Sequence, residues 1–362
     1  MEQPHSAFLI AACVAAVHSA AALVFAYFSF SVQSVACSLP LVLFASALAA
    51  RAIRGDPVTL KGIEIGLGEK GLFHQLVDVM NSRQDRPRFL FVAMPINHFG
   101  ERIRWSLDLI GAPYEEYTSG GLISAFLRGR SVPQLIDRKS CSMIGNSDEC
   151  LAYLSAAYVP SITNSSLRSK AISFLRTDEQ TMAWDVKLNQ LGHLVQGWAY
   201  FYVLDLDTTP EGCLIAWGAY EPKVPFFHRL ILQLAHPFLR RFMRMAFDLS
   251  KKEVRDSRRK MIDAILDEAD TTLSKQKYLT GESLSHVDIT FSALLAPLLA
   301  ARLVWSPRSY YANGRFTSFN GAMNRMLDKW PRALSEFEQS LMERPCAKHV
   351  IALYENLRSK QL

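Results

Sequence analysis

The chain has six cysteines in 362 residues and no C-x-x-C pair. Cys13, Cys37, Cys141, Cys150, Cys213 and Cys346 are too scattered for a dithiol redox motif or a disulfide framework. Nine histidines are equally dispersed, with no H-x-x-x-H spacing, so no metal is expected. The net charge is +6, yet no tract of five or more Lys/Arg occurs, which argues against a nucleic-acid partner. An anionic small molecule or an anionic lipid surface fits that balance as well. Cys150 falls on an apolar helical face and reads as a buried, inert thiol.

A longer absence dominates the N-terminus: from Gln3 to Ala50, 48 residues pass without Asp, Glu, Lys or Arg. A span needs ~20 apolar residues, and Ala7 to Phe30 supplies them. Val35 to Ala50 would rise only roughly 24 Å as a helix, marginal for a second span, with Ser31 to Ser34 as the turn of a helical hairpin. Arg51, Arg54, Lys61 and Lys70 follow, placing the folded body on the cytoplasmic side of the membrane by the positive-inside tendency. The alternative is an organelle-targeting segment cleaved near Ala47-Leu-Ala49, against which the basic-free start and the length of the run both count.

With 49% apolar and 20% charged residues, the remainder describes a folded protein. The expected organisation is an anchor over 1–54, a linker with one short helix over 55–87, a mixed α/β domain over 88–160 and an all-helical domain over 161–362. Phe89 to Met94 reads as a buried strand, and Phe99, Ile103, Leu107 and Ile110 make one face of a helix that Gly111 and Pro113 stop. Strands follow at Tyr114 to Thr118, Gln134 to Asp137 and Cys141 to Ile144, then a helix over Ser147 to Tyr158, with Asn146 as an ordinary N-cap. Leu167 to Leu206 reads as one long helix kinked near Gly192 and Gly197. Phe226 to Phe247 interleaves apolar residues with Arg240, Arg241 and Arg244, which fits either a surface resting on a bilayer or helices covering a pocket. Ser285 and Asp288 form a capping box, so this Asp is a folding device and no catalytic acid.

Three of these segments together resemble the glutathione-binding half of the glutathione transferase superfamily: Phe89 to Tyr114, Ser131-Val132-Pro133 to Asp137, and Asn146-Ser147 to Leu154. The first helix, through Phe99, Glu101, Arg104, Trp105, Leu107 and Asp108, is similar to a large glutathione transferase-like branch reading F-C-E-K-x-R-W-A-L-D. Gly281 to Asp288 resembles the G-x-x-x-S/T-x-A-D segment of the superfamily's C-terminal domain. The resemblance implies a thioredoxin-like N-terminal domain followed by an all-α domain, with glutathione as cosubstrate. A cis Val132-Pro133 bond would turn the Val132 backbone toward the tripeptide. Ser147 matches the residue that holds the γ-glutamyl carboxylate, while Asn146 replaces the usual acid. Asn97 falls on the thiolate-stabilising position, where nu-class transferases are similar in using Asn, and Gly100 stands where the branch often has Cys. Mixed-disulfide chemistry loses its nucleophile at both places.

The site residues so implied are Asn97 and His98 for catalysis, and Val132, Pro133, Asn146 and Ser147 for glutathione. Of these, His98 reads more readily as an exposed turn residue than as an assisting one. Tyr200, Tyr202 and Trp198 could line a pocket for an apolar electrophile. The function implied is a membrane-anchored transferase of glutathione onto that electrophile, with membrane lipid as a further partner and a homodimer as a possible assembly. The alternatives are a catalytically degenerate binding or scaffold protein, and a glutathione-dependent isomerase of a lipid-soluble substrate.

Overall fold

The structure is a computed structural model and describes residues 58–60, 63–65, 86–94, 97–118, 132–140, 142–205, 213–214, 217–299 and 332–358. The expected anchor over 1–54 lies outside the described residues, as does the short helix expected near 71–80. Among the described residues no helix is long and apolar enough to cross a membrane.

A six-stranded sheet runs in the order β1-β2-β6-β5-β3-β4. Its strands are β1 (Val58–Leu60), β2 (Ile63–Ile65), β3 (Phe89–Ala93), β4 (Tyr114–Thr118), β5 (Gln134–Asp137) and β6 (Ser142–Gly145). β3 pairs with β4 in parallel, through helix α1 (His98–Leu109), and every other neighbour is antiparallel. From β3 to helix α2 (Ser147–Tyr153) the element order is the one expected of the thioredoxin-like half. The register of β3 on β5 is pinned at its start. Phe89 faces Asp137, and the neighbouring Arg88 forks onto the buried Asp137 carboxylate at 2.6–3.1 Å. The hairpin β1–β2, joined to β6, is a correction to the linker expected over 55–87. Three-residue strands are too short to show a period of two, so the sequence pattern carried no sign of them.

The remaining elements are helical: α3 (Ser165–Phe174), α4 (Glu179–Val203), α5 (Phe226–Ala246), α6 (Lys252–Leu273), α7 (His286–Leu295), α8 (Arg332–Leu341) and α9 (Pro345–Asn356). The helix expected over 167–206 is thus two helices. Asp178 accepts from the Thr181 N–H at 2.8 Å while the Thr181 hydroxyl takes the Asp178 N–H, so a capping box starts α4 afresh. Nor does α4 break at its glycines. Gly192 is there for proximity: a Cβ at this position would stand 2.5 Å from the Phe99 ring on α1. Gly111, at φ +63°, ends α1 as its position suggests. The capping box at α7 is as expected, with Asp288 accepting from the Ser285 N–H at 3.0 Å and also from the Leu279 N–H at 2.8 Å.

α1 is the element on which both parts of the chain meet, and nine of its twelve residues are buried. Three of its charges enter one network. Arg104 forks onto Glu116 of β4 at 2.6 and 2.9 Å and reaches Glu101 at 2.7 Å. Arg358, just past α9, donates to Glu101 at 3.0 Å and to Asp108 at 2.6 Å. Beside it the rings of Trp105 and Tyr354 stand 4.7 Å apart. The other end of α9 is tied to α6, where Arg344 and the Cys346 N–H share the Asp270 carboxylate at 2.7 and 2.8 Å.

Removing one member of a buried ionic cluster strands the others, at a cost of about 3–5 kcal/mol. Arg358→Met is therefore expected to lower the urea midpoint sharply. A triple variant that adds Glu101→Gln and Asp108→Asn should recover much of the loss, because no charge is left without its partner.

Candidate functional site

α1 begins at Asn97 because this side chain closes its first turn. Asn97 Oδ1 accepts from the Gly100 N–H at 2.8 Å, with the backbone extended at φ −136° and ψ 110°. That bond fixes the amide's orientation: the oxygen serves the helix and Nδ2 faces the other way. Nδ2 donates to the Val132 carbonyl at 3.4 Å. An amide nitrogen carries two N–H groups, and the second makes no bond among the described residues. The Val132-Pro133 peptide is cis and leads directly into β5.

Asn97, Val132, Pro133, Asn146 and Ser147 border one cavity of about 510 Å³. Asn146 occupies its rim in an unexpected way. Its φ of 63° and ψ of 148° leave the extended region that a helix cap needs, and its side chain makes no cap bond. The ordinary N-cap expectation is thereby corrected. A non-glycine residue held there costs about 1–3 kcal/mol, the kind of local strain that clusters at ligand sites.

Ser147 is buried, and its Oγ accepts from Arg102 Nη1 at 3.2 Å. The same nitrogen donates to Asn189 Oδ1 at 3.1 Å, and Arg102 Nη2 lies 3.6 Å from Asp185. Asp185 in turn bonds His286 at 3.0 Å. Burial pulls the Arg102 guanidinium below its ordinary range, and the Asp185 and Asp148 carboxylates oppose that shift. A buried cation therefore stands directly behind the Ser147 hydroxyl. Sequence alone gives no sign of this role, because an Arg five residues after the capping Asn97 on an amphipathic helix reads as an exposed charge.

His98 is a correction. It is neither exposed nor on the cavity: its ring is buried and Nε2 bonds the Gly192 carbonyl at 3.0 Å. A carbonyl only accepts, so the ring is the neutral Nε2–H form. Burial pushes its pKa down to about 4, against the help of that bond. Next to it, the Phe99 ring lies against the His98 ring, centroids 4.2 Å apart, and forms part of the cavity wall.

The helical part supplies the remaining walls. Asn189, His193, Gln196 and Tyr200 recur at four- and three-residue spacing and present one face of α4 to the cavity. Trp217, Met243 of α5 and Phe247 add apolar surface. Of the three aromatics suggested by sequence, Tyr200 is here. Trp198 is packed in the core between Tyr202 and Phe337, and Tyr202 does not reach the cavity. The signal that could have found the wall was the row of polar residues at helical spacing that runs from Asn189 into the apolar C-terminal half of α4. Cys150 is buried, and burial pushes its thiol pKa well up, so it is inert as expected.

Residues 227–312 match the family model described as glutathione S-transferase, C-terminal domain. No curated protein sequence matches the chain. Similar solved structures include a glutathione transferase family member from Pseudomonas fluorescens with two glutathione molecules bound. It is 12% identical, spans 76% of this chain and 97% of its own, and has a TM-score of 0.40. A glutathione transferase from Pseudomonas putida with glutathione disulfide bound is 14% identical, covers 77% of this chain and 97% of its own, and scores 0.40. The β-etherase LigF from a Sphingobium strain is 16% identical over 73% of this chain and 98% of its own, with a score of 0.38.

The lowered His98 pKa has a stability consequence with a definite sign. Below its unfolded value of 6.5 the unfolded chain takes up a proton that the folded chain refuses until about pH 4. Stability is therefore lost as pH falls through that window, by up to about 3 kcal/mol. His98→Gln keeps a donor for Gly192 and removes the titration. Urea unfolding at about pH 7.5 and about pH 4.5 should show a clearly smaller loss in the variant than in the wild type.

Proposed function

We propose that the chain is a glutathione transferase-like enzyme that joins glutathione to an apolar electrophile. The observation that carries this reading is the composition of one cavity, polar where a peptide thiol would lie and apolar where its partner would lie. The match of residues 227–312 to the glutathione S-transferase C-terminal domain supports it.

The polar end suits the tripeptide. The Ser147 hydroxyl, backed by the buried Arg102, offers a neutral donor with a positive charge behind it, which favours a carboxylate over any cation. Val132 supplies backbone for an extended peptide to pair with. The second N–H of Asn97 then meets the sulfur. Thiolate formation needs no base here, only a donor that binds the anion more strongly than the thiol. Lowering the thiol pKa by about two units takes ~2.7 kcal/mol of such preference, within the range of one or two hydrogen bonds to an anion.

The thiol proton leaves to solvent, the sulfur lone pair forms the new S–C bond, and the electrophile's leaving group departs with its bonding pair. Phe99, Tyr200, Trp217, Met243 and Phe247 hold the electrophile by apolar contact, which explains their presence beside a charged peptide site. Residues 1–54 are read as a membrane anchor with the folded part on the cytoplasmic side. The support is the uncharged stretch Gln3 to Ala50 and the basic residues after it. An apolar electrophile concentrates in such a membrane.

Calorimetric titration of glutathione into the full chain, with thiolate absorbance followed against pH, tests the reading. Ser147→Ala should weaken glutathione binding. Asn97→Asp keeps the helix cap but replaces the N–H donor by a negative charge. It should raise the bound thiol's pKa and cut kcat/KM with a model aryl halide by on the order of 10²–10³. No binding at millimolar-range glutathione by a folded wild-type chain would overturn the proposal.

A further inference from the structure

Helix α5 carries an apolar face that no described residue covers. Phe226, Phe227, Leu230, Leu234, Phe238, Phe242 and Met245 are all exposed, Leu234 at 65% and Met245 at 73%. They are seven of the eleven large apolar side chains left exposed among the described residues, and the other four are spread over three helices. From Phe227 onward they recur every three or four residues and form one stripe along six turns. Phe238 and Phe242 stack face to face along it at 6.3 Å. The opposite side of α5, through Leu232, Leu239 and Met243, is packed into the protein. The helix is thus held in place by its inner face, while no described residue covers its outer face.

Charge says what the bare face meets. The 21 residues of α5 contain four arginines and no Asp or Glu. Arg240 is buried and Arg244 half-buried, both donating to the Leu204 carbonyl at 3.2 and 3.0 Å, while Arg241 is exposed within the stripe itself. An apolar stripe that carries an exposed arginine and no acid is complementary to a surface that is apolar below and anionic above. A second copy of the helix is a poor partner by the same argument, because α5 carries no acid to meet Arg241 across a two-fold contact.

From this pattern we infer that the outer face of α5 docks on an anionic lipid surface, with Phe227, Leu234, Phe238 and Met245 in the acyl boundary and Arg241 at the headgroups. The inference uses the membrane location proposed above and is independent of glutathione binding. α5 then lies in the interface plane with Met243, on its inner side, facing the cavity. The bilayer and the cavity are separated by the thickness of one helix.

The test is cysteine accessibility in the full chain, reconstituted at one chain per lipid nanodisc. Phe238→Cys, and Ile172→Cys on the exposed side of α3 as control, are labelled with a membrane-impermeant maleimide. The discs are made of phosphatidylcholine alone or with phosphatidylglycerol. Labelling at position 238 should slow by on the order of tenfold in the anionic discs relative to the neutral ones, with position 172 unchanged. Equal, fast labelling in both lipids while the chain stays with the disc would overturn the inference and leave the anchor standing. A chain that enters neither disc would overturn both. Equal, slow labelling in both would mean that the face is covered without help from lipid charge. Protection found only with two chains per disc would assign the face to a second copy, and each of these last two results overturns the inference.

Discussion

The position of α1 depends on a cluster of charges that water does not reach. Glu101, Arg104, Asp108 and Arg358 are all but completely buried, and Glu116 closes the group at the sheet edge. Two cations among three carboxylates would be ruinous if the partners were loosely placed, since each ion gave up its hydration on folding. Here the hydrogen bonds are 2.6–3.1 Å long and all three carboxylates accept at both oxygens, Asp108 from Arg358 and the Tyr114 hydroxyl, so the group is stable only in one arrangement. That arrangement requires β4, α1 and the C-terminal end of the chain together. The network acts as a registration device, and α9 is fastened at both ends for the same purpose.

What the device registers is the cavity. α1 contributes Asn97 at its cap, Phe99 to the wall and Arg102 behind Ser147, all within its first two turns. A shift of α1 along its axis would move the amide, the ring and the guanidinium together. Gly192 lets α4 approach so closely that the Phe99 ring fills the space a side chain would take, and the Gly192 carbonyl holds His98 on the other side of the contact. The polar half of the cavity and the apolar half are therefore coupled by direct contact between two helices.

Much of the frame was legible because it rests on local signals. Strand β3, the stop at Gly111 and the capping box at Ser285 are set by residues adjacent in sequence, and five of the six expected site residues share the cavity. The failures within the site were of another kind. His98 looked exposed because its partner, Gly192, is 94 residues away. Arg102 looked solvated because Ser147, Asn189 and Asp185 come from other segments. Asn146 looked like a cap because its positive φ is imposed by the link between β6 and α2, which composition does not reveal. A buried charge is recognisable only with its partners, and partners are long-range.

Under the proposed function, Asn97 meets a folding demand and a chemical one at the same time. Helix α1 needs an acceptor at its cap, a role that Ser, Thr, Asp and Asn all perform. An anion held beside that cap needs a donor and no negative charge, which removes Asp. The amide separates the two functions onto two atoms, and the bond from Gly100 to Oδ1 leaves Nδ2 no choice of direction. Capping therefore orients the donor in advance, so a sulfur anion would meet an N–H already fixed by the fold. The cost of ordering the side chain is met in the folding of α1, before any ligand arrives.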